Sequence, residues 1–300
     1  MSILSQPHFH SEVAAYARLE EIVWPNGPVC PHCGGVDRIT PVKGGRIGLR
    51  RCGQCKGQFT CKVGTVFEDS KVPLRKWFQA AHLLASSKKG ISSHQLHRTL
   101  GVTYKTAWFM SHRLREAMRD TGTDQIGGPG KMVEADETFF VNKKGFPKKK
   151  GGAGHKMVVV SLVEREGPVK SVIIDAVSRP DIEKIVKQNV HKESHLMTDE
   201  AKYYKVIGEG FAAHGSVVHS LGEYVKGDAH TNTLEGIFSI FKRGMKGVYQ
   251  HCGEQHLHRY VAEFDFRYNN RVRLGVDDEA RTARALRGIV GKRLTYRWPH

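Results

Sequence analysis

Two sets of residues in this 300-residue chain have types and spacings that do chemistry. Cys30, Cys33, Cys52 and Cys55 form two C-x-x-C knuckles with 18 residues between them. That is the spacing of a four-thiolate zinc site, in which each tight turn offers two sulfurs to one tetrahedral ion. A pair of disulfides or a redox couple is the alternative; a chain that begins without a signal pattern meets a reducing cytosol, which favours zinc. His32 could replace a sulfur, but four cysteines already complete the shell, and Cys61 and Cys252 read as buried thiols. The second set is acidic. Asp136, Asp199 and Glu235 are accompanied by Lys242, seven positions beyond Glu235 and so two helical turns along the same face, and 35 residues lie between Asp199 and Glu235. Three carboxylates from three different elements suit one or two hard divalent cations, Mg2+ or Mn2+. A pair of such ions activates an attacking water or hydroxyl and stabilises the leaving oxygen of an in-line phosphoryl transfer. Lys242 stands where a phosphate near the metals would meet a cation.

These residues need elements to position them. Between the knuckles, residues 38–51 read as short strands around Gly44-Gly45, the layout of a zinc ribbon, which with an N-terminal helix takes up residues 1–62. A ribbon this small has little core of its own, so metal supplies much of its folding energy. Residues 72–87 place Leu74, Trp77, Phe78, Ala81, Leu84 and Ala85 at helical spacing behind Pro73. Residues 91–100 form a shorter helix opened by Ser92 or Ser93, Gly101-Val102 makes a turn, and Thr103 caps a helix running to Met118. Over residues 63–120 this is a helix-turn-helix pattern, whose second helix enters the major groove of DNA, although any three-helix bundle imitates it. Tyr104, Lys105, Thr106, His112 and Arg113 are its candidate DNA contacts; Ala107, Trp108, Met110, Leu114 and Met118 are its buried stripe.

Residues 121–130 (TGTDQIGGPG) have no hydrophobic period and mark a linker. The domain that follows, 131–300 with a basic C-terminal tail, opens with strands at 132–141, 156–164 and 169–177. A helix at 180–190, a strand at 195–198 ending in Asp199, a helix from 201, a strand at 216–219 and helices at 233–246 and 255–269 come next. Three strands, helix, strand, helix, strand, helix is the order of a ribonuclease H-like core, a mixed sheet flanked by helices, and other mixed folds share the tally. The fold class is therefore multidomain, combining α+β and α/β parts.

Charge narrows the partners. Lys and Arg number 47 against 30 Asp and Glu, a formal net charge of +17, which points to a polyanion, either nucleic acid or an anionic membrane surface. The excess is localised: residues 71–120 hold ten Lys and Arg against two acids, and residues 271–300 hold eight against three. The loop at 142–154 carries Lys143, Lys144, Lys148, Lys149 and Lys150; a solvated hairpin tip and a phosphate track are both open readings. The longest apolar run, around 157–163, is too short to span a bilayer, and residues 1–10 lack a secretory pattern. A cytoplasmic, nucleoid-associated protein is expected.

The sequence resembles the bacterial DDE-type insertion-sequence transposases, specifically the ISXO-like group with an N-terminal zinc ribbon. The resemblance rests on CPHC at 30–33, RCGQC at 51–55, VEADETFF at 133–140, LMTDE at 196–200, HTNTLEGIFSIFKRGMKGVYQHC at 230–252 and HLHRYVAEFDFRYNNR at 256–271. It implies that Asp136, Asp199 and Glu235 bind the catalytic metals with Lys242 as helper. Because some relatives use Asn in the third position, Asn232 is a second-best ligand. On the residues alone, Glu134, which shares a strand face with Asp136, is another; Glu137 points the other way, and both acids read by default as surface or supporting groups. Asp175, Glu200, Glu223 and Asp228 have no special claim, and His219 and His230 read as satisfied polar residues before they read as catalytic ones. Arg243, beside Lys242, is a further candidate DNA contact. The resemblance implies an enzyme that binds the terminal inverted repeats of its element, cleaves strands and joins them to target DNA as a dimer or larger assembly. A non-cutting DNA-binding regulator and a stand-alone nuclease of ribonuclease H type are the competing readings.

Overall fold

The computed structural model describes residues 3–147, 153–217 and 230–294. The chain forms two compact units, Met1–Arg119 with Val276–His300, and Asp120–Gly275.

In the first unit, α1 (Glu12–Val23) starts at Ser11, whose side chain accepts from the Ala14 amide. A small antiparallel sheet follows, with β1 (Ile39–Pro41), β2 (Arg50–Cys52) and β3 (Gln58–Phe59) in that order. Three helices come next: α2 (Leu74–Ser86), α3 (Ser93–Leu100) and α4 (Tyr104–Met118). All six apolar positions expected on α2 are buried. Ser92 caps α3 by accepting from the Gln95 amide, and Thr103 caps α4 by accepting from the Thr106 amide. Gly101, at φ 58°, closes α3 in the left-handed region that glycine tolerates without cost.

The segment from Val276 onward does not stay with the sheet-bearing unit, as the expected 131–300 domain would have it. Its helix, Asp278–Arg287, packs on α2 and α4 and buries Ala285, Leu286 and Ile289 beside them. Much of its basic character is used locally. Arg281 donates to the carbonyls of Ala85 and Val276, and Lys292 donates to those of Ala117 and Arg119.

The second unit is built on a five-stranded mixed sheet. β4 (Met132–Asn142), β5 (Lys156–Glu164) and β6 (Val169–Ile174) form an antiparallel meander, while β7 (His195–Thr198) and β8 (Ala213–Ser216) run parallel to β4, giving the order β6-β5-β4-β7-β8. The last strand lies a little earlier than the expected 216–219, and residues 218–229 fall outside the described residues. Side chains alternate across the sheet. Val133, Ala135, Val158, Val160 and Leu162 pack with Ile182, Ile185 and Val186 of α5 (Arg179–Asn189) and with Tyr204 and Ile207 of α6 (Lys202–Gly208). On the opposite face Val159, Val163 and Val169 pack with Leu234, Ile237 and Phe241 of α7 (Asn232–Gly244) and with Val261 and Phe264 of α8 (Leu257–Asn269). At the sheet edge the Asn269 side chain accepts from the Val169 amide at 2.7 Å and donates to the Val169 carbonyl at 2.9 Å, as a neighbouring strand would. No helix among the described residues is long and apolar enough to cross a membrane.

Candidate active site and metal centre

The four knuckle cysteines converge. Their sulfurs all lie within 4.8 Å of one another, with Cys30 and Cys55 at 3.6 Å and Cys33 and Cys52 at 3.7 Å. A zinc–sulfur tetrahedron with bonds of about 2.3 Å has edges of about 3.8 Å, so the donor set fits Zn2+ as it stands. The turns make this possible. The Cys30 amide donates to the Gly35 carbonyl, the Cys52 amide to the Gly57 carbonyl, and the Gln54 amide to Cys52 Sγ. A Cβ at Gly35 would come within 1.9 Å of Gln54 Oε1 and 3.3 Å of Cys33 Sγ, so a larger residue where the two knuckles approach would make the Gln54 side chain turn aside. Phe59 lies beneath, edge-on to Trp24 at 5.8 Å. Cys61 is buried apart from this cluster, and burial pushes its thiol up to about 12, as an inert core thiol requires.

The acidic set is positioned by strand register. β4 and β7 pair in parallel, Met132 with His195, Val133 with Leu196 and Glu134 with Met197, a constant offset of 63 residues. The pairing ends there; Asp136 lies two residues further along β4 and Asp199 directly follows the last residue of β7, so both acids stand just beyond the paired stretch of neighbouring strands. Asp136 Oδ1 accepts from the Glu137 amide at 2.7 Å, and Asp199 Oδ1 accepts from the Ala201 amide at 3.0 Å, which turns the chain into α6. Glu235 and Lys242 on α7 line an open cavity of about 720 Å³ together with Asp136, Glu137, Arg243 and Lys246. The seven-residue spacing read in the sequence does put both side chains on the cavity side of the helix. α7 is followed by a single π turn, Met245–Tyr249, which brings Lys246 and Gly247 to the same cavity; single π turns are frequent at functional sites. Among the described residues only the cysteines bring three or more ligand atoms within 4.8 Å; the three acids do not close to that distance.

Glu134 has a different task from the one expected of it. It is fully buried, and its oxygens accept from the Thr233 amide (3.0 Å), the Leu234 amide (3.1 Å), Thr233 Oγ1 (2.8 Å) and Arg165 Nε (2.9 Å), with His230 Nδ1 at 3.3 Å. A carboxylate committed in this way caps α7 and is not available to a metal ion. Asn232, the other reserve ligand, is the exposed first residue of α7.

A family model described as "ISXO2-like transposase domain" matches residues 126–269, and one described as "Transposase zinc-ribbon domain" matches residues 10–58. The chain is also 30% identical over 277 residues, 86% of its length and 91% of the relative's, to a protein of Halobacterium salinarum named "Uncharacterized protein in transposable element ISH50". The chain belongs to the ISXO2-like transposase family.

Within this transposase, the nominated DNA contacts of α4 separate into two groups. Tyr104 and Lys105 are exposed and Thr106 is half-buried, with the Tyr104 ring stacked on His94 of α3 at 4.3 Å. His112 and Arg113 are buried and do not belong on a contact surface: Arg113 donates to the carbonyls of Val66 and Glu68. Trp108, expected in the buried stripe, is partly exposed. Lys148, Lys149 and Lys150 lie outside the described residues, as do His219, Glu223 and Asp228. Sequence reasoning missed two groups. One is the capping role of Glu134. The other is Glu137, which faces α6 and accepts from Tyr203 Oη at 3.0 Å and from Tyr204 Oη. Burial, followed by the charge of Asp136 and that of Asp199, pushes Glu137 up to about 7 although both tyrosines donate to it. The tyrosines at 203 and 204 were its only signal, and their meaning depends on α6 folding back over β4.

Proposed function

We propose that this chain is a DNA transposase whose second unit is a ribonuclease H-like core cutting and joining DNA strands, with Asp136, Asp199 and Glu235 as the ligands of catalytic Mg2+ or Mn2+. The observation that carries this reading is that Asp136 on β4 lines the same cavity as Glu235 and Lys242, while Asp199 directly follows β7, the parallel neighbour of β4. The meander followed by two strands parallel to its first member supports the ribonuclease H-like assignment. All three donors are carboxylate oxygens, the chemistry that hard divalent cations select. When bound, such ions activate the attacking water or 3'-hydroxyl and stabilise the leaving oxygen.

The chain's own residues contribute position and charge. Asp136 and Asp199 are held by the sheet, and Glu235 is held by a helix whose apolar stripe is seated on Val163 and Val169. Lys242, Arg243 and Lys246 put three cations on the wall of the same cavity, suited to keeping a phosphodiester and its flanking phosphates in place. The first unit, through Tyr104, Lys105 and Thr106 at the start of α4, reads the terminal inverted repeats in helix-turn-helix fashion, and the synapsis of two ends requires a dimer or larger assembly. Soluble residence with the nucleoid follows from this activity.

Incubating the zinc-loaded protein with a duplex carrying its element's end, with and without Mg2+, tests the proposal. Cleavage at the end followed by joining to a second duplex is expected, in Mg2+ only. End binding without cleavage would favour the regulator, and degradation without joining would favour the nuclease.

A further inference from the structure

We infer that Glu134 is a positioning residue that sets the distance between the Asp136 strand and the Glu235 helix, and thereby the affinity of the site for its divalent cation. The inference rests on the metal-site reading above.

α7 has no cap of its own. Thr231, at its N-cap position, makes no side-chain cap hydrogen bond, and an α-helix leaves its first amides without intrahelical partners. Glu134 supplies the acceptors from a strand about a hundred residues earlier, taking the Thr233 and Leu234 amides and the Thr233 hydroxyl. It lies two residues from Asp136 on the same face of β4, and Leu234 directly precedes Glu235. One carboxylate therefore joins the two backbones that carry two of the three proposed ligands. Arg165 holds the clamp from behind: Nε donates to Glu134 at 2.9 Å, while a terminal nitrogen donates to the His230 carbonyl at 3.1 Å and so fixes the chain entering α7. Every partner that faces this carboxylate is a donor or a cation, and the residue is 0% exposed. A charge buried so completely is retained only where its partners satisfy it. A purely apolar contact at this position would seat α7 on the sheet but leave it free to slide by fractions of an ångström, enough to open a metal site.

Replacement of Glu134 by Gln preserves shape but removes one acceptor and the charge, and sets an amide N–H against donors. Groups that hold metal ligands in place typically change metal affinity or activity by about 10- to 100-fold when altered. The test is strand joining by the full, zinc-loaded chain on a cognate end, titrated with Mg2+, for wild type, Asp136→Ala, Glu134→Gln and Thr233→Val. Wild type must join strands and Asp136→Ala must not; if Asp136→Ala joins strands, the metal-site reading itself fails. Given that control, Glu134→Gln is expected to raise the half-maximal Mg2+ concentration at least tenfold, with activity recovered at high Mg2+ and end binding retained. Thr233→Val, which deletes a single donor to Glu134, is expected to shift it in the same direction by about threefold, and it decides the matter if Glu134→Gln does not fold. An unchanged Mg2+ requirement in a folded variant, or a loss of activity that no Mg2+ concentration restores, overturns the inference.

Discussion

The Asp265 carboxyl offers a stability measurement whose sign and size follow from its surroundings. It projects from α8 onto β6, where it accepts from the Ser171 amide and the Ser171 hydroxyl, both at 2.9 Å; Ser171 Oγ is in turn 2.8 Å from Ser161 Oγ on β5. Burial pushes this group from 3.8 up to about 7, against the opposing pull of the two Ser171 bonds. Below about pH 4 the carboxyl is protonated in both folded and unfolded chains and costs nothing. As pH rises from there to about 7 the unfolded chain releases the proton and the folded one keeps it. Stability therefore falls with rising pH across that window and levels off above it. Three pH units at about 1.4 kcal/mol each give a ceiling of about 4 kcal/mol, and because the residue retains some solvent contact about 2 kcal/mol is the figure to look for. Asp265→Asn imitates the protonated acid: its oxygen accepts from the Ser171 amide, and its NH2 meets a Ser171 hydroxyl free to turn toward Ser161. The variant should equal wild type near pH 4 and exceed it by about 2 kcal/mol at pH 8. All four tryptophans lie outside Asp120–Gly275, so tryptophan fluorescence is blind to this unit. Amide exchange of β6 peptides, corrected for intrinsic rate, is the suitable assay. A variant no more protected than wild type at pH 8, or an advantage that grows toward low pH, would mean that Asp265 is not held protonated by its burial.

Three further outcomes follow. Metal analysis should find one zinc per chain; Cys52→Ser should lose it together with the ordered environment of Trp24, whereas Cys61→Ala should keep it. Lys105→Ala should weaken end binding and flatten its salt dependence by about one unit of slope. Arg113→Ala should leave that slope unchanged but destabilise the first unit by about 2 kcal/mol, since it strips the buried Val66 carbonyl and the half-buried Glu68 carbonyl of a donor.

Much of the fold was legible because it rests on local signals. The zinc knuckles are a matter of spacing, α3 and α4 begin at Ser and Thr caps and are divided by Gly101, and the edges of β7 were marked by His195 and Asp199. What escaped depended on packing between distant segments. α4 was read as half-buried, which is what periodicity gives for a helix covered on one side. The carbonyls of Val66 and Glu68 draw Arg113 inward, and the C-terminal helix, 160 residues beyond α4, packs on α4 as well. The same event moved the basic tail from the sheet-bearing unit to the first one. Alternation placed Glu134 and Asp136 on one face of β4 but could not distinguish a metal ligand from a helix cap, because that depends on where α7 begins in space. That Asp136 and Asp199 both follow the paired stretch of β4 and β7 is likewise invisible until β7 is known to run parallel to β4.

The function proposed for this chain stands on Asp136 and Asp199 acting together as ligands of a catalytic divalent cation. Strand joining by Asp199→Ala, measured beside wild type over a range of Mg2+ and Mn2+ concentrations with end binding monitored in parallel, tests it most directly. No joined product is expected at any metal concentration, with end binding within about twofold of wild type. Joined product from Asp199→Ala in Mg2+ would contradict it.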